Sequence, residues 1–198
     1  MKGKLYVISG PSGVGKGTVI SELLKKEENL YLSVSVTTRG KRPGEQEGVN
    51  YYYRSYEEFQ EMIKRNEFLE YAQFCENCYG TPKAPVKAKI ELGIDVILEI
   101  EVQGAMQVKK NMPECIMIFV VPPSVDKLTK RLKGRNTETD DVIKLRVETA
   151  VEELKYAANY DYIVVNDTVE KATDNIYSII KAERCKKDRV IDELEVLK

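Results

Sequence analysis

The chain has 198 residues, 42% hydrophobic and 32% charged, which excludes a disordered polymer and suits one folding unit with its own core. Lysine and arginine total 31 against 32 acidic residues, so no global positive field holds nucleic acid, and any phosphate site has to be local. No apolar run reaches the ~18 residues of a membrane span. The first residues lack the apolar stretch and cleavage site of a secretory leader, so a cytoplasmic protein is expected, with neither membrane nor nucleic acid as partner.

In chain order, Leu5 to Ser9 is a short apolar run that reads as a buried strand, and Gly17 to Lys26 is compatible with a helix. Between them Gly10, Pro11, Ser12, Gly13, Val14, Gly15 and Lys16 fit the G-x-x-x-x-G-K part of a P-loop, in the strand-to-helix setting that the motif requires. Glycines let successive backbone N–H groups turn toward phosphate oxygens, the helix N-terminus adds partial positive charge, and Lys16 reaches the outer phosphates. Gly17 stands where the motif usually has serine or threonine, and Thr18 follows it. The metal-binding hydroxyl is thus displaced by one, and no metal ligand is assigned.

Residues 33–85 are rich in tyrosine, glycine and charge and read as an inserted lobe, with alternation near Ser33 to Val36 and a helix from Tyr56 to Asn66. Within it Arg39 and Arg42 flank a short turn, where fork-shaped guanidiniums suit a monophosphate. Tyr51 and Tyr79 add hydroxyl donors. Three further apolar runs, Asp95 to Ile100, Ile116 to Val121 and Tyr162 to Val165, read as buried strands; helices between them imply a parallel sheet and an α/β fold. Glu99 and Glu101 alternate along the first of these and should face one side, at the strand end where α/β proteins bind ligands. After Pro122 and Pro123 come a charged helix, Val125 to Lys133, a polar stretch, Gly134 to Asp140, and a second helix, Asp141 to Tyr156, together reading as a mobile flap. Ala172 to Leu197 reads as one long amphipathic helix packed on the sheet.

The cysteines are Cys75, Cys78, Cys115 and Cys185, and only the first two form a Cys-x-x-Cys pair. With no histidine and no second pair, a four-ligand zinc site lacks its ligands, and reduced thiols are expected. The missing histidine also removes the commonest general base, so catalysis has to rely on charge placement, carboxylates or a metal.

The segments GPSGVGKGT, SVSVTTRGKRPGEQEGVNYYY, EFLEYAQF, YGTP, ILEIEVQGA and RLKGRNTETDD, in this order, resemble the guanylate kinases from about Lys4 to Glu183. The resemblance implies a P-loop nucleoside monophosphate kinase fold, a parallel sheet flanked by helices with an inserted GMP-binding lobe and a lid. It sets a core at 4–32, 86–122 and 157–184, the lobe at 33–85, the lid at 123–156 and a helical tail at 185–198. The implied reaction is ATP + GMP (also dGMP) to ADP + GDP, with Mg2+ accompanying ATP, in purine nucleotide metabolism; homo-oligomerisation is left open. Gly10 to Thr18 would bind ATP, with Asn166 and Asp167 near its adenine. Arg39, Arg42, Tyr51 and Tyr79 would hold the GMP phosphate, and Ser35, Glu70, Thr81 and Glu101 would surround guanine. Guanine presents N1–H and an exocyclic amine, and a carboxylate such as Glu70 accepts from both, whereas adenine lacks that donor pair. Lys16 and the lid arginines Arg131, Arg135 and Arg146 would stabilise the transferring phosphoryl group. The chain departs from the usual pattern at Glu99 and Glu101, where Asp-x-Asp is common, and at Asn136, where glycine usually follows the second lid arginine. Two other readings stay open: a kinase for another monophosphate, and a non-catalytic domain that grips phosphorylated peptides.

Overall fold

The computed structural model describes residues 2–74, 76–134 and 139–191 of the chain. In chain order the elements are β1 (Leu5–Ser9), α1 (Lys16–Lys26), β2 (Leu30–Leu32), β3 (Val36–Thr37), β4 (Tyr52–Tyr53), α2 (Tyr56–Lys64), β5 (Phe68–Phe74), β6 (Asn77–Pro82) and α3 (Lys83–Glu91). They continue with β7 (Asp95–Glu99), α4 (Val102–Asn111), β8 (Ile116–Val121), α5 (Val125–Lys133), α6 (Asp140–Leu154), β9 (Tyr162–Val165), α7 (Val169–Arg184) and α8 (Lys187–Val190).

The core is a five-stranded parallel sheet in the order β2-β7-β1-β8-β9. Every residue of β1 is buried, because helices cover both faces of the sheet, and this is why the strand reads as a continuous apolar run. Tyr6 and Ile8 pack on one side among residues of α1, α5, α6 and α7, while Leu5 and Val7 pack on the other against α3 and α4. Placing β1 at the centre delivers the loop after Ser9 to the middle of the sheet's C-terminal edge, where ligands bind in open α/β folds.

A second sheet, in the order β4-β3-β6-β5, has a small core of its own formed by Val36, Phe59, Phe68 and Cys78. It is tied to the main body through α4: Gln107 pairs with the main chain of Tyr71, at 3.2 and 3.0 Å, and Asn111 donates to the Leu69 carbonyl at 2.7 Å. Between Phe68 and Glu70 the pairing of β5 with β6 shifts register. Such an irregularity lets successive side chains serve different surroundings: Phe68 belongs to the small core, and Leu69 to the main one.

Three expectations are corrected. The core sheet has a fifth strand, β2, that pairs with β7 from Leu30 to Leu32; three residues are too few for a hydrophobic period to show. The long C-terminal helix ends at Arg184, whose guanidinium is pulled to Asp95 at 2.8 Å and to Glu27 at 2.9 Å, and Lys186 turns extended before α8 begins. Glu101 is not on the strand: β7 stops at Glu99, and Glu101 is the N-cap residue of α4. Among the described residues no helix is long and apolar enough to cross a membrane.

Candidate functional site

The loop between β1 and α1 wraps around an open space because of its backbone. Gly10 and Gly15 have φ of 147° and 90°, in the left-handed region that glycine enters without steric cost. A Cβ on Gly10 would also stand 2.1 Å from the Val120 carbonyl oxygen, so β8 leaves no room for one. Val14 is fully buried and anchors the loop. Asn166, buried after β9, donates to the Val14 carbonyl at 2.7 Å and lies against Gly15. The residue expected near adenine therefore also braces the phosphate loop.

At the start of α1 the N-cap is Gly15, no side chain caps the first amides, and the first turn carries no acid. This leaves unsatisfied N–H groups and the positive end of the helix dipole facing outward, as an anion site requires. The Lys16 ammonium folds back onto the carbonyls of Gly10 and Pro11 at 2.5 and 3.2 Å. Burial lowers its pKa, against the attraction of Glu99, Glu153 and Glu101.

In front of this loop lies a cleft of about 530 Å³ lined by Gly10, Ser12, Lys16, Thr18, Tyr51, Glu99, Glu101 and Glu153, among others. A smaller pocket of about 130 Å³, lined by Ser33, Ser35, Asn50, Tyr51 and Thr81, shares Tyr51, Glu99 and Ile100 with it. Two adjoining sites with a common wall are what a reaction between two bound nucleotides needs. Deeper in the lobe, the Thr81 hydroxyl donates to Glu70 Oε1 at 2.6 Å, and both residues are buried. Burial pushes the Glu70 carboxyl above its ordinary range; the Thr81 bonds oppose this and Glu101 adds to it.

Toward the lobe's outer turn, Arg39 makes a bidentate pair with Glu45 at 2.7 and 3.1 Å and lies 5.3 Å from the centre of the Tyr51 ring. Tyr51 contacts Tyr79 edge to face. Glu45 also accepts from the Arg42 amide at 2.8 Å and from the Tyr53 hydroxyl at 2.8 Å, so one carboxylate fixes the turn that carries both arginines. The Arg42 side chain itself is exposed.

Of the expected flap arginines, Arg146 on α6 donates to the Ser12 hydroxyl at 2.6 Å, which brings it to the phosphate loop. Arg131 on α5 lies at the opposite flank of that loop. It donates to the carbonyls of Val14, Asn166 and Asp167 at 3.4, 2.9 and 3.3 Å. Arg135 and Asn136 lie outside the described residues. Two participants were missed in the sequence reading. Glu45 had a signal, an acid three residues past Arg42 in the turn that carries both arginines. Glu153 had only its place two turns after Arg146 on the same face of α6; burial in the cleft and neighbouring Glu101 raise its carboxyl, against Lys16 and the Ser12 amide.

Comparison with known proteins agrees with this geometry. The family model described as guanylate kinase matches residues 2–183. The guanylate kinase of Desulfitobacterium hafniense is 53% identical over 187 residues, which is 94% of either chain. That of Halalkalibacterium halodurans is 50% identical over 196 residues, 99% of this chain and 96% of the relative. The crystal structure of guanylate kinase from Anaplasma phagocytophilum superposes with a TM-score of 0.75 at 35% identity, covering 95% of this chain and 89% of that one. With a P-loop cleft, an adjoining lobe pocket and full-length likeness of this degree, the chain belongs to the guanylate kinase family.

Proposed function

We propose that this protein is an ATP:GMP phosphotransferase, which moves the γ-phosphoryl group of ATP to the phosphate of GMP and releases ADP and GDP. The observation that carries this reading is the common wall of Tyr51, Glu99 and Ile100 between the P-loop cleft and the lobe pocket. A donor bound at the loop and an acceptor bound in the lobe would meet there. Residues 33–85 act as the GMP-binding lobe and residues 123–156 as the lid. The setting is purine nucleotide metabolism in the cytoplasm, with dGMP as a second acceptor.

In the reaction an oxygen of the GMP phosphate attacks the γ-phosphorus while the bond to the β–γ bridging oxygen breaks. The transition state is loose, so alignment and cation placement dominate and a strong base is not needed. Within the loop of residues 10–18, Lys16 and the backbone N–H groups other than that of Pro11, which has none, hold the phosphates of ATP, and Arg146 approaches them from the lid. Arg131 steadies the loop from behind, through the Val14 carbonyl, and Arg135 joins these cations from the lid sequence. Arg39, Arg42, Tyr51 and Tyr79 hold the GMP phosphate. Ser35, Thr81 and Glu101 surround guanine, and Glu70 accepts from its N1–H and amine.

Magnesium fits the donor set of the cleft. Glu99 and Thr18 present hard oxygen donors, and no acidic cluster among the described residues would hold a metal alone. Magnesium is characteristically held by one or two carboxylates together with water and phosphate oxygens. Bound with ATP, it would neutralise charge on the β- and γ-phosphates. Carboxylates of Glu99, Glu101 and Glu153 around a single lysine make the cleft inhospitable to a bare polyphosphate, which is a reason for the nucleotide to enter with its cation.

The test is an ADP-release assay with ATP and magnesium, comparing GMP, AMP, CMP and UMP. Turnover selective for GMP and abolished by Lys16→Ala supports the proposal. Preference for another monophosphate would overturn the base reading, and GMP binding without turnover would overturn the catalytic one.

A further inference from the structure

Gly104 is the third residue of α4, buried and in ordinary helical geometry. Nothing in its backbone calls for glycine, and within a helix glycine is less favourable than alanine. The reason for it lies across the interface with the lobe. A Cβ at Gly104 would stand 2.9 Å from Glu70 Oε2, 3.4 Å from its Cδ and 3.5 Å from its Cγ. All three nearest atoms belong to one side chain, the carboxylate that accepts from Thr81 through its other oxygen.

We infer that Gly104 is a specificity-determining position: its missing side chain is the space in which the Glu70 carboxylate lies, aimed at the base. This rests on the reading above that Glu70 accepts from guanine. Two constraints then fix the carboxylate. The Thr81 hydroxyl draws Oε1 toward β6, and the bare backbone of α4 admits Oε2 beside the first turn of the helix. Amides of that first turn have no intrahelical partners, and the Glu101 side chain makes no cap bond to them. A methyl group at 104 displaces Oε2 and with it the carboxylate that Thr81 holds through Oε1.

The atom that has to yield is the far end of a flexible side chain, so Gly104→Ala is a lesion of recognition rather than of folding. This separates a positioning role from simple packing. The experiment compares the wild-type chain with Gly104→Ala, Glu70→Gln and the double variant. It measures steady-state kinetics with GMP and with IMP, whose base lacks the exocyclic amine, together with KM for ATP and thermal unfolding. Gly104→Ala is expected to raise KM for GMP about tenfold and to shrink the preference for GMP over IMP. KM for ATP stays within about twofold and the melting temperature does not fall. The double variant is expected to be no worse than Glu70→Gln alone, because both changes act through one carboxylate.

Wild-type GMP preference in Gly104→Ala, beside a lost preference in Glu70→Gln, overturns the inference and leaves the base reading intact. Unchanged preference in Glu70→Gln overturns the base reading, and this inference with it. A lower melting temperature with parallel rises in both KM values shows that Gly104 only packs, and overturns the inference as well.

Discussion

Replacing Thr81 by valine tests the proposal that Glu70 reads the base, because it preserves shape and removes one donor. Thr81 and Glu70 are direct partners across β5 and β6, their side chains are 2.6 Å apart, and the residues are 1% and 7% exposed. A hydrogen bond to a charged group contributes about 1.5–3 kcal/mol, and at this depth water does not replace it. The hydroxyl also holds the Glu70 carboxyl down against the upward push of burial. Without it less of the carboxylate is ionised and less is aimed. At about 1.4 kcal/mol per factor of ten, the expected loss in kcat/KM for GMP is about 10- to 150-fold. KM for ATP should stay within about twofold, because Thr81 lines the lobe pocket and not the P-loop cleft. Thr81→Ser keeps the donor and should remain near wild type. The assay is ADP release with GMP varied at saturating ATP, and then the converse. A loss below threefold, or an equal change in both KM values, would falsify the account of Thr81 as the anchor of a guanine-reading carboxylate.

Lys16→Met should lower kcat by about 10³-fold, since it removes a fixed cation from the transferring phosphate, while calorimetric affinity for GMP stays unchanged; weakened GMP binding would count against separate donor and acceptor sites. Glu70 titrates above the ordinary glutamate value of 4.5, so its charged form is a burden on the fold that grows as pH rises past that value. Glu70→Gln should therefore melt higher than wild type at pH 8 and equally below 4.5, and the acid limb of kcat/KM for GMP, lying above 4.5, should vanish in it. Glu45 behaves in the opposite sense: Arg39, and then the Arg42 amide, pull its carboxyl down from 4.5 to about 2. Its stabilisation is present above 4.5 and lost as pH falls toward 2, so wild type and Glu45→Gln should differ most in melting temperature near neutrality and converge in acid; parallel curves refute this. Asn166→Ala removes a buried donor to the Val14 carbonyl and should raise KM for ATP about fivefold, as expected for ~1 kcal/mol, with KM for GMP unmoved.

What the sequence disclosed follows from where each constraint resides. Gly10, Gly15 and Lys16 were legible because the loop's conformation is written in residue types: few other residues take the φ of Gly10 and Gly15, and the flanking strand is buried at every position and apolar up to Ser9. β1, β7 and β8 were legible as apolar runs because helices cover both faces of a parallel sheet. β2 was not, since three residues carry no period, and its place comes from pairing with β7. The end of α7 was hidden because no glycine or proline marks it: the backbone leaves the helix at Cys185 and Lys186, residue types that continue a helix equally well.

The site divides along the same line. Arg39 and Glu70 could be proposed as phosphate and base ligands from residue type and motif alone. Two residues that act by what they meet in the fold, Glu45 and Glu153, were not named from these. Glu45 matters because its oxygens meet Arg39, the Arg42 amide and Tyr53 together. Glu153 matters because α6 crosses the P-loop there, bringing a carboxylate to Lys16 that reads in sequence as one more charge on a solvated helix. Arg131 shows the reverse case. Its motif marks a lid cation, and the fold adds a second task, since bonds to Val14, Asn166 and Asp167 make it a strut between the phosphate loop and the segment after β9. Helix α5 and the phosphate loop are thus tied together by direct hydrogen bonds.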